Sequence, residues 1–215
     1  KTMTTPQSTH ITLILDRSGS MSDITDDIIG GVNSFFDKQR SVDLPTSVTL
    51  VQFDSRDPFE VLAENVTLDK VPQLNQDNYR PRASTPLLDA IGTGIHRLSA
   101  HLDMHTPETK PDAVVFVIVT DGMENASSTF TRSHITDLIK AKQEAGWEFV
   151  FLSSDLSAVR EAREFAVENT RSASFSKRNV RESMNIVSEK MMSFRESRAD
   201  LAFSDKERDD MEGKQ

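Results

Sequence analysis

The chain has no cysteine among its 215 residues, which excludes both a disulfide framework and a thiolate metal site. A chain without disulfides suits a reducing compartment, and a cytoplasmic location is the expectation. No apolar run reaches the roughly 18 residues that a membrane span needs. The N-terminal stretch, Lys1 to Gln7, lacks the apolar region of a signal peptide and opens without Met, as a trimmed end does. Basic residues are the minority charge: 25 Lys and Arg against 34 Asp and Glu leave a formal net charge of −9. That surplus repels DNA, RNA and anionic lipid, so neither nucleic acid nor membrane is expected as a partner, while a cation or a basic partner is allowed. Also missing are the GxxxxGK[ST] and GxGxxG phosphate loops and a serine on a GxSxG turn. Apolar residues make up only 36%, yet they cluster into runs, and the length suits one α/β domain with a core of its own.

What is present starts with Ile11 to Met21 (ITLILDRSGSM), a short apolar strand running into an Asp16-x-Ser18-x-Ser20 turn. In extended backbone, residues i, i+2 and i+4 share a side, so one carboxylate and two hydroxyls can aim at one point. Such a set of hard oxygens suits Mg²⁺, Mn²⁺ or Ca²⁺ and argues against zinc or copper. The plainer reading is a helix N-cap by Ser22 or Asp23. Helical spacing follows from Ile24 to about Gln39, with Gly30-Gly31 inside it read as a close approach to the sheet. Residues 47–54 and 60–68 read as strands, the second antiparallel and at an edge. A polar loop over 69–82 leads to Thr85-Pro86, where Pro at the first helical position starts a helix through Leu102. Ala113 to Thr120 (AVVFVIVT) is a continuous apolar run of the kind covered on both faces, and it ends in Asp121-Gly122.

A helix over 131–146, a strand over 148–152, a helix over 156–167 and a short strand over 173–175 complete an alternating pattern. That pattern predicts a doubly wound, mostly parallel α/β sheet, Rossmann-like, with one antiparallel edge strand. The expected organisation is a flexible segment 1–8, a domain over 9–176, a C-terminal helical extension over 177–203 and a charged, disordered tail over 204–215. On the extension, Val180, Met184, Val187, Met191 and Phe194 form a stripe that packs on the domain or, less commonly, on a partner. In such a sheet, positions just past the carboxyl ends of strands share one crevice. Asp16, Ser18, Ser20 and Asp121 fall at or just past a strand's carboxyl end, and Thr85 lies at a helix entry that shares the crevice, so together they offer two carboxylates and three hydroxyls for one divalent cation.

These three blocks, Asp16-x-Ser18-x-Ser20, Ser84-Thr85-Pro86-Leu87-x-Asp89-Ala90 and Thr120-Asp121-Gly122, resemble the metal-ion-dependent adhesion site (MIDAS) of the von Willebrand factor A domain. The resemblance spans roughly residues 9 to 175 and looks most like bacterial and phage intracellular members. It implies that Ser18, Ser20 and Thr85 bind Mg²⁺ directly, with Mn²⁺ or Ca²⁺ as substitutes, while Asp16 and Asp121 act mostly through water. It implies a non-enzymatic module that takes an Asp or Glu of a partner protein, within an assembly such as an AAA-type ATPase or a stress or defence complex. One departure is Ser84, where many relatives have Gly. The competing reading is a metal-dependent hydrolase or phosphotransferase using Asp16 or Asp121. It lacks the second Asp two residues on that haloacid dehalogenase enzymes need, since that position is Ser18. Glu124 beside the site has the chemistry of a general base, though loop polarity accounts for it equally. The pair His101 and His105 reads as a solvated helix end rather than a metal pair.

Overall fold

The computed structural model describes residues 7–155, 159–160 and 171–214. Its strands are β1 (Thr9–Asp16), β2 (Thr46–Phe53), β3 (Glu60–Thr67), β4 (Ala113–Thr120), β5 (Glu148–Ser153) and β6 (Ser172–Ser174). They form one sheet in the order β3-β2-β1-β4-β5-β6. Every described pairing is parallel except that of β2 with the edge strand β3. The chain leaves β1 toward β2 on one side and returns to β4 on the other. The point where the winding reverses therefore lies between the carboxyl ends of β1 and β4, where open α/β sheets bind ligands.

Both central strands are buried along their whole length, and alternate side chains serve two cores. Val115, Val117 and Val119 of β4 join Ile11, Leu13 and Leu15 of β1 under α1 (Thr25–Arg40). Val114, Phe116 and Ile118 face the layer of α2 (Leu87–Asp103) and α3 (Arg132–Glu144). A strand covered on both faces has no polar side to expose, so its sequence is one apolar run. The helix expected over 156–167 lies, apart from Val159 and Arg160, outside the described residues.

The C-terminal extension is where the structure adds most. Helix α4 (Val180–Ser197) lays its Val180, Met184, Val187, Met191 and Phe194 stripe into the α1 side of the core. It is bolted there by Arg195, whose guanidinium is fully buried. Arg195 donates to the Gln39 carbonyl at 2.7 Å, to the Val42 carbonyl at 3.1 Å and to Thr46 Oγ1 at 2.8 Å. Gly30-Gly31 is explained by this helix and not by the sheet: a Cβ on Gly31 would stand 2.8 Å from Met184 Cγ. The tail expected to be disordered instead carries helix α5 (Asp205–Glu212), started by a capping box between Ser204 and Glu207. Its one apolar anchor, Met211, is fully buried; a single Met in a charged stretch makes no periodic signal. At the other end, Ser8, assigned by sequence to a flexible segment, is held by Asp112, whose Oδ2 accepts from Ser8 N at 2.7 Å. Residues 1–6 of that segment lie outside the described residues. Among the described residues no helix is long and apolar enough to cross a membrane.

His10, buried at the amino end of β1, is hydrogen-bonded to Ser47 Oγ at 2.7 Å and Thr12 Oγ1 at 3.1 Å. Burial, and secondarily the nearby His101, pulls its imidazole from 6.5 down to about 3. Between those values the unfolded chain binds a proton that the folded chain refuses, so stability falls as pH drops below the unfolded value. At pH 5 the expected loss from this residue is about 2 kcal/mol. Urea unfolding at pH 7 and pH 5 measures it, and His10→Gln should flatten the difference; an unaltered slope in that variant contradicts the assignment.

Candidate metal centre

The last residue of β1, Asp16, is fully buried, and each of its oxygens is engaged. Thr120 at the end of β4 donates its hydroxyl to Asp16 Oδ2 at 2.6 Å, and the Ser18 amide donates to Oδ1 at 2.6 Å. The carboxylate thus ties the two central strand ends together and starts the turn. Burial raises its pKa, Thr120 and Ser18 oppose the shift, and the negative Asp121 adds to it. A cation beside Asp16 would favour its charged form.

Ser18 is extended, but Gly19–Ile24 is a 3-10 turn, so Ser20 converges by a helical step and not by the extended alternation read from the sequence. The outcome is the same in space: Ser18 Oγ and Ser20 Oγ stand 3.1 Å apart. Ser22 spends its hydroxyl on the Gly19 carbonyl at 2.6 Å, and the N-cap of α1 is Ile24 with no side-chain bond, so neither Ser22 nor Asp23 caps α1. Ser20 also donates to Asp121 Oδ1 at 2.5 Å. A Cβ placed on Gly122 would lie 3.6 Å from Ser20 Oγ and 3.8 Å from Thr85 Oγ1, so these two hydroxyls flank one small space kept open by glycine. The structure therefore brings Ser18, Ser20, Thr85 and Asp121 to one place, with Asp16 directly behind.

Thr85 is held from two sides. Its amide donates to Asn125 Oδ1 at 2.8 Å and its carbonyl accepts from the Asn125 amide at 3.1 Å. The preceding loop is stitched to the first turn by Arg82 N to the Arg17 carbonyl at 2.9 Å and Gly19 N to the Ala83 carbonyl at 3.0 Å. The left-handed backbone falls on Ala83 (φ 60) rather than on Ser84, the position of the family departure. Pro86 sits at the cap of α2, one residue before the helix, and not at its first helical position. Glu124 is consumed by structure: it accepts from Leu88 N, Ala126 N, Ser127 N and Ser127 Oγ at 2.6–2.9 Å, which ties the Asp121 loop to the start of α2. Asp89 does similar work for Ser128, Thr129 and Phe130 through their amides.

The donor set fits a hard divalent cation. Two neighbouring ligands of an octahedral Mg²⁺ at about 2.1 Å stand about 3.0 Å apart, close to the Ser18–Ser20 separation. Asp121 Oδ2 is buried and makes no hydrogen bond; its one ion-pair partner among the described residues is the Lys177 ammonium at 3.3 Å.

Sequence reasoning overlooked Arg17, Asp54 and Arg82. Arg17 lies between two candidate ligands and is almost wholly buried, with Nε on Asp54 Oδ2 at 2.8 Å and a second ion pair to Glu60. Arg82 Nε meets the same Asp54 oxygen at 2.8 Å. Burial by itself would raise the Asp54 carboxyl. The amides of Asp57 and Arg56 and the charges of Arg82 and Arg17 outweigh it and hold the group below its ordinary range. The overlooked signal was an Asp just past β2, the same place in the strand pattern as Asp121 after β4.

No protein-family model matches the sequence, and no curated protein matches it. Solved structures do match its fold. The pilus adhesin SpaC of Lactobacillus rhamnosus GG, in an open conformation, superposes with a TM-score of 0.65 at 15% identity over 90% of this chain and 31% of its own. The vWF domain of the type V pili tip protein Mfa5 of Porphyromonas gingivalis gives 0.62 at 10% identity over 87% and 96%. Proximal thread matrix protein 1 of the mussel byssus, with a zinc-occupied MIDAS motif, gives 0.59 at 15% identity over 87% and 46%. The chain spans a third to a half of the length of the larger proteins it matches, SpaC and the mussel protein among them. Its fold is that of the von Willebrand factor A domain.

Asp54→Ala would leave Arg17 buried without its main counter-charge and release the Arg82 loop. The expected cost is about 3 kcal/mol, read as a lower urea midpoint. A loss within error would mean that this network does not position the turn.

Proposed function

We propose that this domain is a divalent-metal-dependent recognition module that grips a partner protein by an Asp or Glu side chain. Ser18, Ser20 and Thr85 would hold the ion, with Asp16 and Asp121 behind them, and Mg²⁺ is the expected ion, Mn²⁺ or Ca²⁺ the substitutes. The observation that carries this reading is the convergence of two strand-end loops and Thr85 on one space at the reversal point of the sheet. The ion would supply a Lewis-acidic position for a carboxylate oxygen. The chain's part is to furnish neutral hydroxyls, which leave the ion most of its charge, and to keep Asp16 occupied with Thr120 and Ser18. The fold's occurrence in pilus proteins and the zinc in the mussel protein's MIDAS support a metal-dependent contact, and they add zinc to the ions worth testing. Membership of a larger cytoplasmic assembly of bacterial or phage type, with an AAA-type ATPase or a stress or defence complex, is part of the same proposal and rests on the sequence resemblance.

Asp16 and Asp121 repel one another across the centre, so a bound cation should stabilise the fold. At 100-fold excess over its dissociation constant, Mg²⁺ or Mn²⁺ should add about 2.7 kcal/mol, seen as a rise in melting temperature that Asp121→Ala abolishes. A melt indifferent to every added ion would end the proposal.

Thr85→Ala should leave the fold intact and weaken capture of a partner in pull-downs run with Mg²⁺ against chelator. Metal-dependent hydrolysis of nucleotides or phosphoesters by the same protein would point instead to the hydrolase reading.

A further inference from the structure

Lys177 belongs to the segment that joins β6 to α4, outside the three blocks that form the centre, yet its ammonium stands over them. Nζ is 3.3 Å from Asp121 Oδ2, 3.3 Å from the Ser20 carbonyl and 3.8 Å from Asp23 Oδ2. The first of these is the buried carboxylate oxygen that makes no hydrogen bond. The lysine is not there by the chance sweep of a loose loop. Its turn is fixed by Ser176 N to the Met211 carbonyl at 2.9 Å and Asn179 N to the Ser176 carbonyl at 2.8 Å. Helix α4 beyond it is anchored on α1 by Arg195 and by the Arg181–Asp27 pair at 2.8 Å. The backbone is therefore held, while the side chain is 42% exposed.

We propose that Lys177 is a tethered cation that competes with the divalent ion for Asp121, so that the C-terminal extension sets the metal affinity of the centre. An ammonium cannot share a carboxylate oxygen with a dication a few ångströms away without repulsion, and a half-exposed lysine yields at modest cost. The same charge neutralises Asp121 when no dication is present, which keeps the facing carboxylates from loosening the strand ends. This inference rests on the metal-binding reading above, but it concerns a residue which that reading does not use.

The test is Mn²⁺ titration by calorimetry on the full chain, with Lys177→Met, Lys177→Arg and the parent protein, each checked for folding by circular dichroism. Lys177→Met should bind Mn²⁺ roughly three- to tenfold more tightly than the parent, and Lys177→Arg should stay near the parent value. In chelator, Lys177→Met should melt lower than the parent, and its metal-induced rise should be larger. Binding by Lys177→Met with none by the parent would support the proposal in its strongest form. Equal affinities for all three proteins would overturn the role of Lys177 and leave the metal centre standing. Absence of binding in all three would overturn both.

Discussion

The hydrogen bond from Thr120 to Asp16 joins the carboxyl ends of the two central strands. It is the constraint on which the rest of the centre depends. Parallel strands in register bring their ends to one level, and β1 and β4 are paired from Thr9–Ala113 to Leu15–Val119. The polar residues that follow each strand emerge side by side in consequence. A buried carboxylate there demands partners, and it obtains them from the opposite strand and from the turn it begins. The Ser18–Ser20 turn is thereby aimed at Asp121 instead of at solvent.

Around that junction the molecule uses charge in two ways. Asp16, Glu124 and Asp89 are spent on amides and hydroxyls and so fix loops. Asp54 gathers Arg17 and Arg82 and so fixes the loop that carries Thr85 relative to the first turn. Asp121 is different. It gives one oxygen to Ser20 and keeps the other out of hydrogen bonding.

The helical extension completes the layer over α1. Two glycines in α1 let α4 come close, and Arg195 offers its buried charge to backbone carbonyls at the end of α1 and beyond. Because α4 is anchored this way, the segment before it is delivered to the edge of the centre, and Lys177 arrives within reach of Asp121.

Much of this was legible in the chain alone. Alternation of apolar runs and helical spacing determined the α/β class, the antiparallel edge strand and the central place of Ala113–Thr120, because a strand buried on both faces cannot hide its composition. Polar residues at strand ends and at one helix entry marked Asp16, Ser18, Ser20, Thr85 and Asp121 as neighbours, because in an open α/β sheet those positions border one crevice. Other features belong to the tertiary structure. The reason for Gly30-Gly31, the helix built around Met211, the Arg17–Asp54–Arg82 network and the approach of Lys177 all join residues far apart in sequence. Periodicity reports only which face of one element is buried, whereas these contacts were decided when separate elements came to share the same space.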